Sequence, residues 1–140
     1  KGDEYSKIKK NINSNKLKKN IELVMDENDT SKIYKNIDIF VLPSKYEGFP
    51  NTLYEAMINT KICLISEDAN LDSHIIDGQN GFVFNLDSTD DLCTKITYIS
   101  ENINSSEINK IRKNAYSYVK DNYSMKSIVQ KYTDLYNEIL

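Results

Sequence analysis

The residues of this chain best suited to chemistry gather in one stretch, Pro43-Ser44-Lys45-Tyr46-Glu47-Gly48-Phe49-Pro50-Asn51-Thr52-Leu53-Tyr54-Glu55-Ala56-Met57. Two carboxylates, Glu47 and Glu55, flank a point where a loop punctuated by Gly48 and Pro50 gives way to a helical pattern. A helix start presents unpaired N–H groups and the positive end of the helix dipole, so it attracts phosphate, with each favourable charge contributing about 0.3–1 kcal/mol when exposed. Gly48 lets a ligand come close to the backbone. Carboxylates beside a phosphate site repel phosphate unless they face something else. Sugar hydroxyls are the natural partner, because an ionised carboxylate accepts two charge-assisted hydrogen bonds from a vicinal diol. A phosphate site with a hydroxyl reader on either side fits a nucleotide sugar. The same residues also have a plainer explanation: the dipole alone favours Glu near a helix start, and Asn51 is an ordinary cap. On physics alone both stay open.

The elements that must position this stretch can be read from periodicity. Tyr5, Ile8, Ile12 and Leu17 fall roughly on one helical face. Residues 21–25 read as a strand and residues 26–29 as a polar turn; Asp29 or Thr30 then caps a short helix through Tyr34. The strongest strand is residues 37–42, closed by Pro43. Asn51 or Thr52 caps a helix to about Asn59, and residues 62–65 form a buried strand. A polar stretch follows over 67–80, with a helical turn expected near 73–76, then a turn over 77–81 and a strand over 82–84. Asp87-Ser88 caps a helix to about Ser100, and two helices finish the chain, near 105–120 and 124–140. Strands alternate with helices, and two strands are apolar without alternation. The fold class is therefore α/β, a Rossmann-like doubly wound parallel sheet with helices on both faces. Four strands are few for such a sheet, and the pattern opens on a helix. Its first strands are expected to lie outside this chain.

At 140 residues the chain fits a single domain. Its net charge of −3, with both signs interspersed, argues against nucleic acid as a partner. The basic runs at 7–10 and 16–19 read as the solvated face of a helix. Cys63 and Cys93 read as small core residues, which suits a reducing, cytoplasmic compartment. No cluster of Cys and His suggests a metal, and no apolar run is long enough to span a bilayer. That leaves room for peripheral membrane association of the full-length protein. The sole histidine, His74, reads as a surface or packing residue. Tyr116, Tyr132 and Tyr136 stand at helical spacing, as amphipathic packing would place them, while Tyr46 and Tyr54 lie near the candidate site.

The runs Asp38-Ile39-Phe40-Val41-Leu42-Pro43-Ser44, Glu47-Gly48-Phe49-Pro50-Asn51 and Glu55-Ala56-Met57 resemble the signature of glycosyltransferase family 4 and its GT-B relatives. Glu47 and Glu55 stand at the E-x7-E spacing of that family. The resemblance extends to Gly2-Asp3, to Asn20-Ile21-Glu22-Leu23-Val24 and to Asp77-Gly78-Gln79-Asn80-Gly81-Phe82-Val83, which is similar to a "DGxNGxLV" turn and strand. It implies that residues 1–140 are the carboxy-terminal, donor-binding domain of a two-domain retaining hexosyltransferase, a fragment whose amino-terminal partner domain is missing. Catalytic Glu47 would contact donor-sugar hydroxyls and stabilise charge near the anomeric carbon. Backbone N–H groups near Gly48, Phe49, Asn51, Thr52 and Leu53 would hold the diphosphate, and Glu55 would bind the ribose diol. Met25 and Asp26 would border the base. Such enzymes need neither metal nor cofactor; the substrate is a UDP- or GDP-sugar and the acceptor a glycan or a lipid-linked one.

This sequence departs from the family pattern at several points. Thr60 stands where Gly is common and Ile62 where Pro is; Met25 replaces Gly, and Ser73 stands where a Glu often precedes the turn. The basic pair that clamps the diphosphate lies upstream, with Lys45 a candidate for partial replacement against its reading as a solvated loop lysine. The rival reading is a non-catalytic GT-B-like module for binding or assembly, which predicts no response to nucleotides.

Overall fold

A computed structural model of the chain describes residues 4–15, 17–24 and 29–139. The chain divides into two units, residues 1–33 and 34–140. In the first, helix α1 spans Tyr5–Ser14 and a 3-10 turn spans Leu17–Lys19. None of its described residues is buried, and Lys7 pairs with Glu4 at 3.0 Å on the solvated face. The strand expected at 21–25 is not formed: residues 21–24 carry no strand pairing, and Met25 lies outside the described residues. A parallel strand exists only through hydrogen bonds to a neighbour, so an apolar run without one stays irregular. Gly2-Asp3 and the turn residues 26–28 also lie outside the described residues. Helix α2, Thr30–Lys35, ends by burying Tyr34.

The second unit is built on a parallel sheet in the order β1-β2-β3. Strand β1 is Ile39–Leu42, β2 is Ile62–Ser66 and β3 is Phe82–Phe84. Ile39 lies opposite Ile62, and Leu64 opposite Phe82. All five residues of β2 are buried, as a strand covered on both faces must be. Cys63 and Ile65 point into one core with Leu53, Tyr54, Ala56 and Met57 of helix α3, which spans Asn51–Ile58. Ile62 and Leu64 point into a second core with Phe82, Phe84 and Ile99. Ile99 belongs to helix α4, Thr89–Glu101. Helix α5, Ser106–Tyr123, serves both cores: Ile108 and Ile111 enter the second, Ala115 and Val119 the first. Helix α6, Met125–Ile139, completes the described chain with none of its residues buried.

Several boundaries have local causes. Ser88 caps α4 by accepting from the Asp91 N–H at 3.2 Å, and Ser105 caps α5 by accepting from Ile108 at 3.2 Å. Helix α3 ends in a Schellman arrangement, with the Thr60 N–H on the Met57 carbonyl and the Lys61 N–H on the Ala56 carbonyl, both at 3.0 Å. That motif puts Thr60 at φ +57°, a left-handed conformation in which glycine is at home, so the family's usual Gly has a backbone reason.

Four expectations need correction. The helical turn expected near 73–76 falls instead at Asp68–Asn70. Side-chain amides hold the later residues out of a helix: Asn70 brackets Ile75 through both its N–H and its carbonyl, each at 2.9 Å, and Asn80 takes the Ile76 N–H at 2.7 Å. Cys93 is exposed, not core, because α4 turns Leu92, Ile96 and Ile99 inward and leaves the neighbouring position in solvent. Tyr132 and Tyr136 are 61% and 62% exposed, so the packed tyrosines are Tyr34, Tyr54, Tyr118 and Tyr123 instead. Neither Asn51 nor Thr52 caps α3; Pro50 occupies the cap position, without a side-chain cap bond.

Candidate active site at the start of helix α3

The loop after β1 leaves the sheet at its carboxyl edge, where ligands of parallel sheets bind. Pro43 ends the strand, having no N–H for the ladder. Buried Ser66, the last residue of β2, donates its hydroxyl to the Ser44 carbonyl and so ties the loop's first residues to the neighbouring strand. At the other end Pro50 is fully buried and its carbonyl accepts from Leu53 at 3.0 Å and Tyr54 at 3.2 Å. The Asn51 N–H turns back to the Phe49 carbonyl at 2.9 Å. Of the amides expected to hold a diphosphate, those of Asn51 and Leu53 are thus engaged within the turn. Those of Gly48, Phe49 and Thr52 meet no protein acceptor among the described residues. Gly48 and Thr52 are exposed, so these donors stand open at the positive end of α3.

Glu55 sits in the second turn of α3, half-buried. Its Oε2 lies 3.2 Å from the Tyr34 hydroxyl, which is also 3.1 Å from the Thr52 carbonyl. Tyr34 is 5% exposed and its ring lies 6.4 Å from that of Phe40. Burial, and then the charge and hydrogen bond of Glu55, push its hydroxyl pKa up to about 12. The hydroxyl therefore stays protonated and able to donate. Nothing in the local pattern of the sequence points to Tyr34, because its partners stand 18 and 21 residues away.

A cleft of about 440 Å³ runs along α3, with Phe49, Asn51 and Glu55 on one side and Val119, Tyr123 and Ile128 on the other. It joins three of the expected site residues. Glu47 is half-buried in the loop but is not among the residues lining this cleft, and Lys45 is exposed. The Leu53 side chain is wholly in the core. Met25 and Asp26, expected near the base, lie outside the described residues. A larger cleft of about 700 Å³ opens near Asp38, Lys61, Arg112 and Lys113. It lies at the amino ends of β1 and β2, the wrong end of a parallel sheet for the site.

An aromatic cluster fixes the cleft wall. Tyr54 stacks on Tyr123 with centroids 4.3 Å apart, and Phe49 meets Tyr54 edge-on at 5.1 Å. Burial first, then the hydrogen bond and charge of Tyr123, raise the Tyr54 hydroxyl pKa. That hydroxyl lies 2.9 Å from Nδ1 of His74, a buried packing residue 6% exposed. Asn80 holds the His74 carbonyl at 3.1 Å, and Asp77 takes the Val83 N–H at 2.7 Å and Lys95 at 3.2 Å. Gly81 closes the same turn because a Cβ there would come within 2.7 Å of Ile75 Cδ1 and 2.9 Å of the Cys63 carbonyl. The described residues hold no cluster of three or more His, Cys, Asp or Glu able to grip a metal ion. Nor is any described helix long and apolar enough to cross a membrane.

A parallel sheet with helices on both faces, ending in a strand–loop–helix with open amides, is half of a GT-B fold. Residues 1–118 match the family described as glycosyl transferases group 1, and the chain belongs to that family. It is 27% identical over 124 residues to the Escherichia coli UDP-Gal:alpha-D-GlcNAc-diphosphoundecaprenol alpha-1,3-galactosyltransferase, covering 89% of this chain and 31% of the relative. A glycosyltransferase from Rickettsia africae superposes with a TM-score of 0.86 at 24% identity, over 96% of this chain and 36% of that one. The Anabaena protein HepE in complex with UDP superposes with a TM-score of 0.85 at 17% identity, over 95% of this chain and 36% of that one. The chain thus spans about a third of the length of the relatives it matches.

Proposed function

We propose that this chain is the carboxy-terminal donor-binding domain of a retaining, family 4-type hexosyltransferase that uses a UDP-sugar. One observation carries the reading: the open N–H groups of Gly48, Phe49 and Thr52 stand at the start of α3, one turn from a Glu55 carboxylate held in place by a buried tyrosine. The amides and the helix dipole take the diphosphate, Glu55 takes the ribose diol, and Glu47 faces the donor sugar. Uridine is favoured over guanosine by the name of the E. coli relative and by the UDP bound to HepE. The E. coli relative's name also supports a lipid-linked glycan as acceptor, which would bring the whole protein to a membrane surface.

In the reaction, the bond between the anomeric carbon and the diphosphate oxygen breaks and the diphosphate leaves with the electron pair. The acceptor hydroxyl oxygen bonds to the anomeric carbon, and its proton ends on the released diphosphate. The helix start stabilises the departing charge without a metal ion. The acceptor, and closure over it, belong to a second domain in the whole protein; the greater length of the relatives supports this.

The test is titration of the purified protein with UDP, GDP and ADP. UDP should bind most tightly, and Glu55→Gln should weaken it. No response to any of the three at millimolar concentration would sink the reading and favour a non-catalytic module.

A further inference from the structure

We propose that Tyr34 is a positioning residue for the donor's ribose, because its buried hydroxyl spans the Glu55 carboxylate and the Thr52 carbonyl and sets the direction in which Glu55 faces a ligand. The inference rests on Glu55 being the ribose reader. A glutamate on an exposed helix face has three side-chain torsions to immobilise before it can accept two hydrogen bonds from a diol. A carboxylate already fixed in place avoids that loss on binding.

Tyr34 is suited to the task. It is almost fully buried among Leu53, Ala56 and Met57 of α3, so its ring cannot swing away. Its hydroxyl engages Oε2 of Glu55, which leaves Oε1 and a second lone pair on Oε2 to meet the diol. The second contact, to the Thr52 carbonyl, sits on the residue whose N–H is one of the open amides. The helix sets the spacing of Thr52 and Glu55, and the hydroxyl, sharing its one proton between the two acceptors, fixes the direction of the Glu55 carboxylate. Glu55 and Tyr34 stand 21 residues apart, on different helices, so the clamp exists only in the folded chain.

The test compares UDP with 2′-deoxy-UDP by calorimetry on the whole protein, wild type and Tyr34→Phe. The wild type should prefer UDP. Tyr34→Phe keeps the ring and should weaken UDP about five- to tenfold while shifting 2′-deoxy-UDP less than about twofold, so the preference collapses. In turnover, KM for the donor should rise with kcat nearly unchanged. Equal weakening of both nucleotides, or an unchanged preference, overturns the positioning role and leaves the Glu55 assignment standing. If the wild type itself binds the two equally, the Glu55 assignment fails and this inference falls with it. Where Tyr34→Phe does not fold, a crystal structure of the wild type with UDP decides. Tyr34 should bridge Thr52 and Glu55, with the free carboxylate oxygen on the ribose; a broken bridge overturns the proposal.

Discussion

Replacing Thr60 by glycine should stabilise this protein. Thr60 is exposed and occupies the residue after the α3 cap at φ +57°, held there by its own N–H on Met57 and the Lys61 N–H on Ala56. A left-handed backbone costs an L-residue about 1–2 kcal/mol. Glycine removes that strain but gives the unfolded chain more freedom, costing about 0.5–1 kcal/mol. The net gain is about 0.5–1 kcal/mol. The unfolding entropy of a chain this long is about 0.3 kcal/mol/K, so Tm should rise by roughly 2–3 °C. Thermal melts followed by circular dichroism, with urea curves at constant m, measure it. Thr60→Ala is the control. It keeps the Cβ and the left-handed backbone, and should recover little. A Thr60→Gly protein no more stable than wild type, or an alanine variant that gains as much, would refute the strain argument.

Three other outcomes are expected. Gly48→Ala should leave stability unchanged, because the nearest atom to an added Cβ is the Tyr46 hydroxyl at 4.0 Å, yet it should weaken UDP at least about tenfold if phosphate meets the backbone there; calorimetry and a thermal melt read the two halves. Cys93 should react with a thiol reagent in the native protein and Cys63 only on unfolding, since Cys63 is fully buried and burial drives its thiol pKa up; mass spectrometry of the labelled peptides distinguishes them. Tyr34 has a folded pKa raised from 10.0 to about 12, so its contribution to stability is complete below pH 10 and fades as pH rises towards 12. Urea midpoints across that window should fall less steeply for Tyr34→Phe than for wild type.

The sequence made the helix start legible because its signals are local. A strand closed by Pro43, a loop carrying Gly48 and Pro50, and two carboxylates eight residues apart all fall within one stretch. The sheet core was legible for the same reason, since the unbroken apolar run in β2 reads as a strand covered on both faces. What stayed hidden depends on contacts between distant residues. The run at 21–25 carries a strand's composition, but pairing decides whether a strand forms, and residues 21–24 have none. Cys93 sits one position off the buried stripe of α4, a difference of about 100° that composition does not show. Tyr34 and Ser66 act through bonds to residues 18 to 22 positions away. The family resemblance flagged Thr60 as unusual, but only the backbone angle supplied the cause.

The cleft along α3 has two banks drawn from distant parts of the chain. Phe49, Asn51 and Glu55 fall within the span that matches the family pattern, which stops at residue 118; Val119, Tyr123 and Ile128 lie past it. Swapping the stretch from 119 to 128 between kin would exchange the second bank while leaving the anion cradle and its acidic neighbours untouched.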